Sequence, residues 1–274
     1  MAVTVTAVVK LGGEVVASPE LATIANDLRS LVADGWRVAV VHGGGPQASE
    51  LSKRLGLEVR QVAGRRITDL PTLDVMKMVV AGKLNVDLCA ALRAAGLSPV
   101  GLHGASGRMI QATKRPPRVV TGGGTEPIDF GLVGDVTGYN LELLELLWGG
   151  GYTPVLACLG ADDAGGVFNI NADIVGNQLA GHLRADHMLL VTGAPGVLRD
   201  VNDPTSRLAL LTVADARRAI ADGTVTGGMI PKLEEAIAVL GEGAKAIHIV
   251  GKLAPGDLAR AAREPGAVGT TLVA

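Results

Sequence analysis

Two runs rich in β-branched residues, "VTVTAVVK" (3–10) and "RVAVVH" (37–42), stop abruptly at glycines, Gly12-Gly13 in one case and Gly43-Gly44-Gly45 in the other. Valine and threonine favour a pleated strand. Glycine costs about 0.5–1 kcal/mol relative to alanine inside regular structure. Each run therefore reads as a strand that ends in a sharp turn. Between them, Leu21, Ile24, Leu28, Leu31 and Val32 recur at helical spacing over 19–34. A strand, a turn, a helix and another strand make a βαβ unit, which joins parallel strands.

The same texture continues. The pattern predicts helices near 46–55, over 71–95 (entered through Asp69 and Pro71), and over 140–149, 172–184, 212–221 and 230–240. It predicts strands at 99–103, 153–158, 187–192 and 246–250. Between 107 and 137, short β-like pieces ("RMIQAT", "RVVT", "FGLVGDVT") separated by glycine and proline read as hairpins added to the sheet or its edge. The expectation is a doubly wound α/β fold with a mainly parallel central sheet. "GADDAGGVFN" (160–169) is a candidate seam between two lobes, 1–165 and 166–274.

Composition agrees. Hydrophobic residues make up 48 % of the 274 and aromatics only 2 %, so the core must be aliphatic, as parallel sheets covered by helices are. A net charge of −2 without a basic run argues against nucleic acid as a partner. Cys89 and Cys158 form no CxxC pair and have no metal-like spacing to the five histidines. No leader and no apolar run of about 18 residues is apparent. A reduced, cytoplasmic, membrane-free chain is expected.

Ligands of open α/β sheets bind beyond the carboxyl ends of the strands, where glycines let backbone N–H groups approach an anion. Each glycine cluster alone is equally well explained as a tight turn. Neither the GxxxxGK[ST] loop nor GxGxxG after a strand is present. Lys10 closes the first strand, either solvated or facing a phosphate. Lys232 falls in the first turn of its helix, where the dipole disfavours a cation by about 0.3–1 kcal/mol unless an anion is bound. In "NINAD" (169–173), Asn171 and Asp173 suit a helix start, whereas capping leaves Asn169 unexplained. Arg66 either forks onto a carboxylate or is an exposed loop arginine.

Together, "KLGG" (10–13), "VVHGGGPQ" (40–47), "GRRITDLPTLDVMKMVVAGKLN" (64–85), "FGLVGDVT" (130–137), "NINAD" (169–173), "LLVTGAPGVL" (189–198), "GGMIPK" (227–232) and "AVGT" (267–270) resemble the amino acid kinase family. They follow the family's order, and the resemblance is to its branch that phosphorylates N-acetyl-L-glutamate. It implies an α/β/α sandwich with an acyl amino acid lobe and an ATP lobe. The implied reaction is transfer of the γ-phosphoryl group of ATP to the side-chain carboxylate, a step of arginine biosynthesis.

Carried over by position, the resemblance makes Lys10 and Lys232 stabilise the phosphoryl group and Asp173 orient them. It assigns Gly12, Gly13 and Gly44 to phosphate, and Gly44, Gly45, Arg66 and Asn169 to the acyl amino acid. It assigns Thr192, Gly193, Gly196, Gly228 and Lys232 to the nucleotide. Mg2+ would be held mainly by phosphates and water, with no protein metal site. On this reading Gly44→Ala is expected to damage catalysis more than stability.

There are departures. Gly193 stands where the family has Asp or Asn, "LHGASG" (102–107) replaces "LSGKDG", and Glu14 replaces a small or amide residue. The N-terminal extension of arginine-inhibited hexameric members is not apparent, so an arginine-insensitive homodimer is expected. Rival readings are an acyl- or carrier-linked α-aminoadipate kinase and a weakly active regulatory member. GGGPQ and NINAD, in place of GGS and NTDAD, favour glutamate over aminoadipate.

Overall fold

The computed structural model describes residues 4–120, 122–227 and 229–274. Its main sheet has eight strands in the order β12-β14-β13-β11-β1-β2-β8-β5. These are β1 (Thr6–Leu11), β2 (Arg37–His42), β5 (Pro99–Leu102), β8 (Thr153–Ala157), β11 (His187–Val191), β12 (Leu210–Thr212), β13 (Ala246–Val250) and β14 (Thr270–Val273). Every pairing is parallel except β13 with β14. β1, β2, β8, β11 and β13 are buried at nearly every position, so both faces of the sheet are covered.

The helices are α1 (Gly13–Val16), α2 (Glu20–Ala33), α3 (Gly45–Arg54), α4 (Leu70–Met76), α5 (Asn85–Ala94), α6 (Leu141–Gly149), α7 (Ala172–Leu183), α8 (Val213–Ala221), α9 (Met229–Gly241) and α10 (Asp257–Arg263). Local side chains cap several helix starts, Asp69 as expected. Asp69 caps α4 by accepting from Thr72 N at 2.9 Å, Asn140 caps α6, and Thr212 with Asp215 forms a capping box on α8. The predicted 71–95 helix runs from Leu70 to Ala94, but its middle, Lys77–Leu84, is π-helical.

Three differences from the sequence reading have physical reasons. The first strand is Thr6–Leu11 rather than 3–10, because its length is set by pairing with β2 and β11. The hairpins of 107–137 do not join the main sheet. β6 (Ile110–Lys114) and β7 (Gly134–Tyr139) instead build a four-stranded sheet, β10-β9-β6-β7, with β9 (Leu159–Ala161) and β10 (Val167–Asn169). β9, β10, β12 and β14 are three or four residues each, too short for periodicity to reveal.

β1 lies between β2 and β11, with Leu11 in register with both His42 and Val191. The two glycine turns therefore leave adjacent strands side by side, at the point from which the chain winds outward in both directions. That is the crevice where doubly wound sheets bind ligands.

At the other half of the sheet two histidines meet. His187 Nδ1 lies 3.0 Å from His248 Nε2, and His248 Nδ1 lies 3.1 Å from Thr271 Oγ1. Burial pushes His248 down to about 3 and also lowers His187. An unfolded chain protonates these imidazoles near pH 6.5, whereas the folded chain resists. Their contribution to stability is thus complete above about pH 6.5 and is lost as the pH falls towards about 3. The urea midpoint should therefore drop between about pH 7 and about pH 5, before carboxylates titrate, and His248→Gln should flatten that slope.

Candidate active site

The centre of the site is an ion pair. Lys10, buried at the end of β1, places Nζ 2.6 Å from Asp173 Oδ1. Asp173 belongs to the first turn of α7, and Asn171 caps that helix by accepting from Asp173 N at 3.0 Å. α7 can approach β1 because Gly176 has no side chain: a Cβ there would meet Lys10 Cβ at 3.3 Å and Met188 Cε at 3.0 Å.

The two glycine turns close against each other beside this pair. A Cβ on Gly13 would lie 2.9 Å from Gly44 Cα and 2.8 Å from Gln47 Oε1. Gln47 Nε2 donates to Gly13 O at 2.6 Å and ties the turns together. Behind them, fully buried His42 is kept neutral by burial. Asn85 Nδ2 donates to His42 Nε2 at 3.0 Å, which puts the imidazole proton on Nδ1, 3.0 Å from the Gly43 oxygen it reaches.

Lys10, Gly12, Gly13, Gly44, Gly45, Arg66 and Asn169 all line one cavity of about 290 Å³. Arg65 and Arg115 line it too, giving four cationic side chains and, among the described residues, no carboxylate. Met76, Phe130, Val133, Ile170 and Ile174 add apolar wall. Such a cavity suits a small anion with an apolar stretch.

Arg66 Nη2 donates to Gly45 O at 3.0 Å and Ser49 Oγ at 2.6 Å, while desolvation lowers its pKa. Arg66 stands on the hairpin of β3 (Gln61–Val62) and β4 (Arg65–Arg66), whose Gln61 and Gly64 also line the cavity. Asn169 Nδ2 donates to Thr68 Oγ1 at 3.0 Å. Arg115, almost wholly buried, is held by Asp135, with Nε donating to Oδ1 at 2.7 Å. Burial pushes the Cys158 thiol up to about 12, so this cavity-lining sulfur stays protonated.

Other expected residues stand apart from the cavity. Thr192, Gly193 and Gly196 follow β11, one strand over from Lys10. Gly196, at φ 140°, is required by packing: a Cβ would lie 2.9 Å from Thr270 Oγ1, whose hydroxyl accepts from Val197 N at 2.8 Å. A Cβ on Gly193 would meet nothing within 4 Å. Gly228 lies outside the described residues. Lys232 is half-exposed on α9, which packs on α7.

A family model described as the amino acid kinase family matches residues 5–251. The chain belongs to the amino acid kinase family. Within that family it is 66 % identical to "Acetylglutamate kinase" of Anaeromyxobacter dehalogenans (strain 2CP-1 / ATCC BAA-258) over 270 residues, 98 % of this chain and 99 % of that one. It is 64 % identical to "Acetylglutamate kinase" of Sorangium cellulosum (strain So ce56), covering 97 % and 94 %. Among solved structures it resembles N-acetylglutamate synthase from Neisseria gonorrhoeae complexed with coenzyme A and N-acetyl-glutamate, with TM-score 0.82 and 21 % identity. That match covers 98 % of this chain and 59 % of the synthase chain and shows the fold.

The sequence reading assigned no role to Gln47, the His42–Asn85 pair, Arg65 or Arg115. Gln47 was visible only as the end of "GGGPQ". His42, Arg65 and Asn85 lie within the family-like segments without any local signal of a role, and Arg115 lies outside them.

The surroundings of Gly44 add a folding cost to the expected loss of catalysis. Gly44 is buried, and a Cβ would lie 2.5 Å from Leu84 Cδ1 and 3.0 Å from Val80 Cγ2, both in the π-helical stretch. Gly44→Ala should therefore cost folding as well as activity, about 1–3 kcal/mol by overpacking. Gly45→Ala, whose Cβ meets nothing within 4 Å, should leave the urea midpoint near wild type. Chemical denaturation of both variants checks the contrast.

Proposed function

We propose that the chain transfers the γ-phosphoryl group of ATP to the side-chain carboxylate of N-acetyl-L-glutamate. The observation that carries this reading is the Lys10–Asp173 pair, set where two glycine turns meet at the edge of a cationic cavity. High identity to acetylglutamate kinases over nearly full length supports the acceptor.

The chemistry needs charge stabilisation and alignment more than covalent help. A carboxylate nucleophile is already ionised at neutral pH, so no general base is required. Arg66 and Asn169 hold the far carboxylate of the acyl amino acid, and the apolar wall takes its methylenes and acetyl group. Lys10 and the amides of Gly12, Gly13, Gly44 and Gly45 face the transferring group. Asp173 holds Lys10 in place and neutralises it until the anion arrives.

Lys232 stabilises the phosphoryl group from the α9 side, and the Thr192–Gly196 loop with Gly228 receives the nucleotide. Residues 1–165 form the acyl amino acid lobe and 166–274 the ATP lobe. Among the described residues no group of three His, Cys, Asp or Glu could hold a metal. The donor set therefore fits a Mg2+ that travels on the phosphates and water and neutralises their charge. No helix among the described residues is long and apolar enough to cross a membrane. A cytoplasmic, arginine-insensitive homodimer completes the proposal, and exposed Met78 and Val86 on the long helix beside edge strand β5 support the dimer alone.

The test is ATP-dependent acyl phosphate formation, trapped with hydroxylamine, on N-acetylglutamate, N-acetyl-aminoadipate and free glutamate. N-acetylglutamate should give the highest kcat/KM, and preference for either other acceptor would overturn the assignment. Lys232→Ala should lower kcat by about a hundredfold or more while KM changes only a few-fold, because its contact belongs to the transition state.

A further inference from the structure

α7 and α9 lie side by side, and each carries one residue of the proposed phosphoryl-transfer centre near its start. On α7, Asn177 stands four residues after Asp173. On α9, Glu235 stands three residues after Lys232. Those spacings put each pair on one helix face, one turn apart. The second members meet: Asn177 Nδ2 donates to Glu235 Oε2 at 3.4 Å.

The meeting is not cheap packing. Asn177 is only 6 % exposed, and its Oδ1 is buried without a partner. Glu235 is half-buried, and the charges of Asp173, Lys232 and Lys10 all act on it. Two apolar side chains would close the same helix contact without desolvating polar groups. Lys232 makes no ion pair among the described residues and sits in the first turn of α9, where the helix dipole repels it.

We propose that Glu235 and Asn177 are positioning residues that hold Lys232 in register with Asp173 and Lys10 for phosphoryl transfer. The hydrogen bond pins α9 to α7 one turn beyond the reacting groups. Burial raises the carboxyl's affinity for a proton and Asp173 adds to the effect, while Lys232, Lys10 and the Asn177 hydrogen bond oppose it. The inference rests on the role proposed above for Lys232.

Steady-state kinetics with ATP and N-acetylglutamate on Glu235→Ala, Glu235→Gln, Asn177→Ala, the double alanine variant and Lys232→Ala test it, with thermal unfolding of each alongside. Glu235→Ala and Asn177→Ala should each lower kcat about tenfold with KM for N-acetylglutamate unchanged, and the double variant should fall no further. Glu235→Gln keeps an oxygen that accepts from Asn177 and should recover to within about threefold of wild type. If Lys232→Ala loses activity but Glu235→Ala stays within about twofold of wild type, the pair is helix packing and the inference fails alone. Additive loss in the double variant, or Glu235→Gln no better than Glu235→Ala, also overturns it. If Lys232→Ala keeps its kcat, the role of Lys232 and this inference fall together.

Discussion

The site depends on one ion pair between a buried lysine and a partly exposed aspartate. Lys10 is a charge near the end of a strand buried at every position after Thr6, where desolvation alone would exclude it. Asp173 makes that position tolerable at 2.6 Å, and its geometry requires α7 to lie almost on β1. Gly176 permits the approach, and Asn171 caps the helix so that its first turn carries Asp173 to the lysine. The pair thus joins the first strand to a helix more than 160 residues later, across the middle of the sheet.

Around this pair, backbone groups take the place of side chains. Gly13 and Gly44 approach so closely that no Cβ fits between the turns, and both line the cavity. The neutral His42, fixed by Asn85, and the Gln47 clamp supply the rigidity that glycine lacks. The π-helical stretch presses Val80 and Leu84 onto Gly44 from behind. Phosphoryl transfer rewards this arrangement, because preorganised dipoles need no reorganisation when charge develops.

The cavity divides its labour by charge. Arg66, Arg65 and Arg115 with Lys10 make it attractive to a dianion, while Phe130, Val133 and Met76 give it apolar wall. Arg115 is compensated by Asp135 and Lys10 by Asp173, so the apo protein does not bear the full repulsion of its own cations. Carboxylates on the substrate would complete a balance the fold has prepared.

The linear order of residues carried the βαβ alternation, the helix starts at Asp69 and Asn171, and the two glycine turns, because each is a signal within one or two turns of chain. The family motifs named Lys10, Asp173, Arg66 and Asn169, and all four meet at or beside one cavity. Only the tertiary structure decided that the hairpins would build their own sheet and that Gly44 answers to Val80 and Leu84. It alone decided that Asn177 would find Glu235, and that buried Asp27 of α2 would accept from Gly256 N and Leu258 N at the start of α10. These contacts join residues from about 40 to 231 positions apart. Hydrogen bonding and steric exclusion act through space, and a pattern read along the chain carries only what neighbours impose on one another.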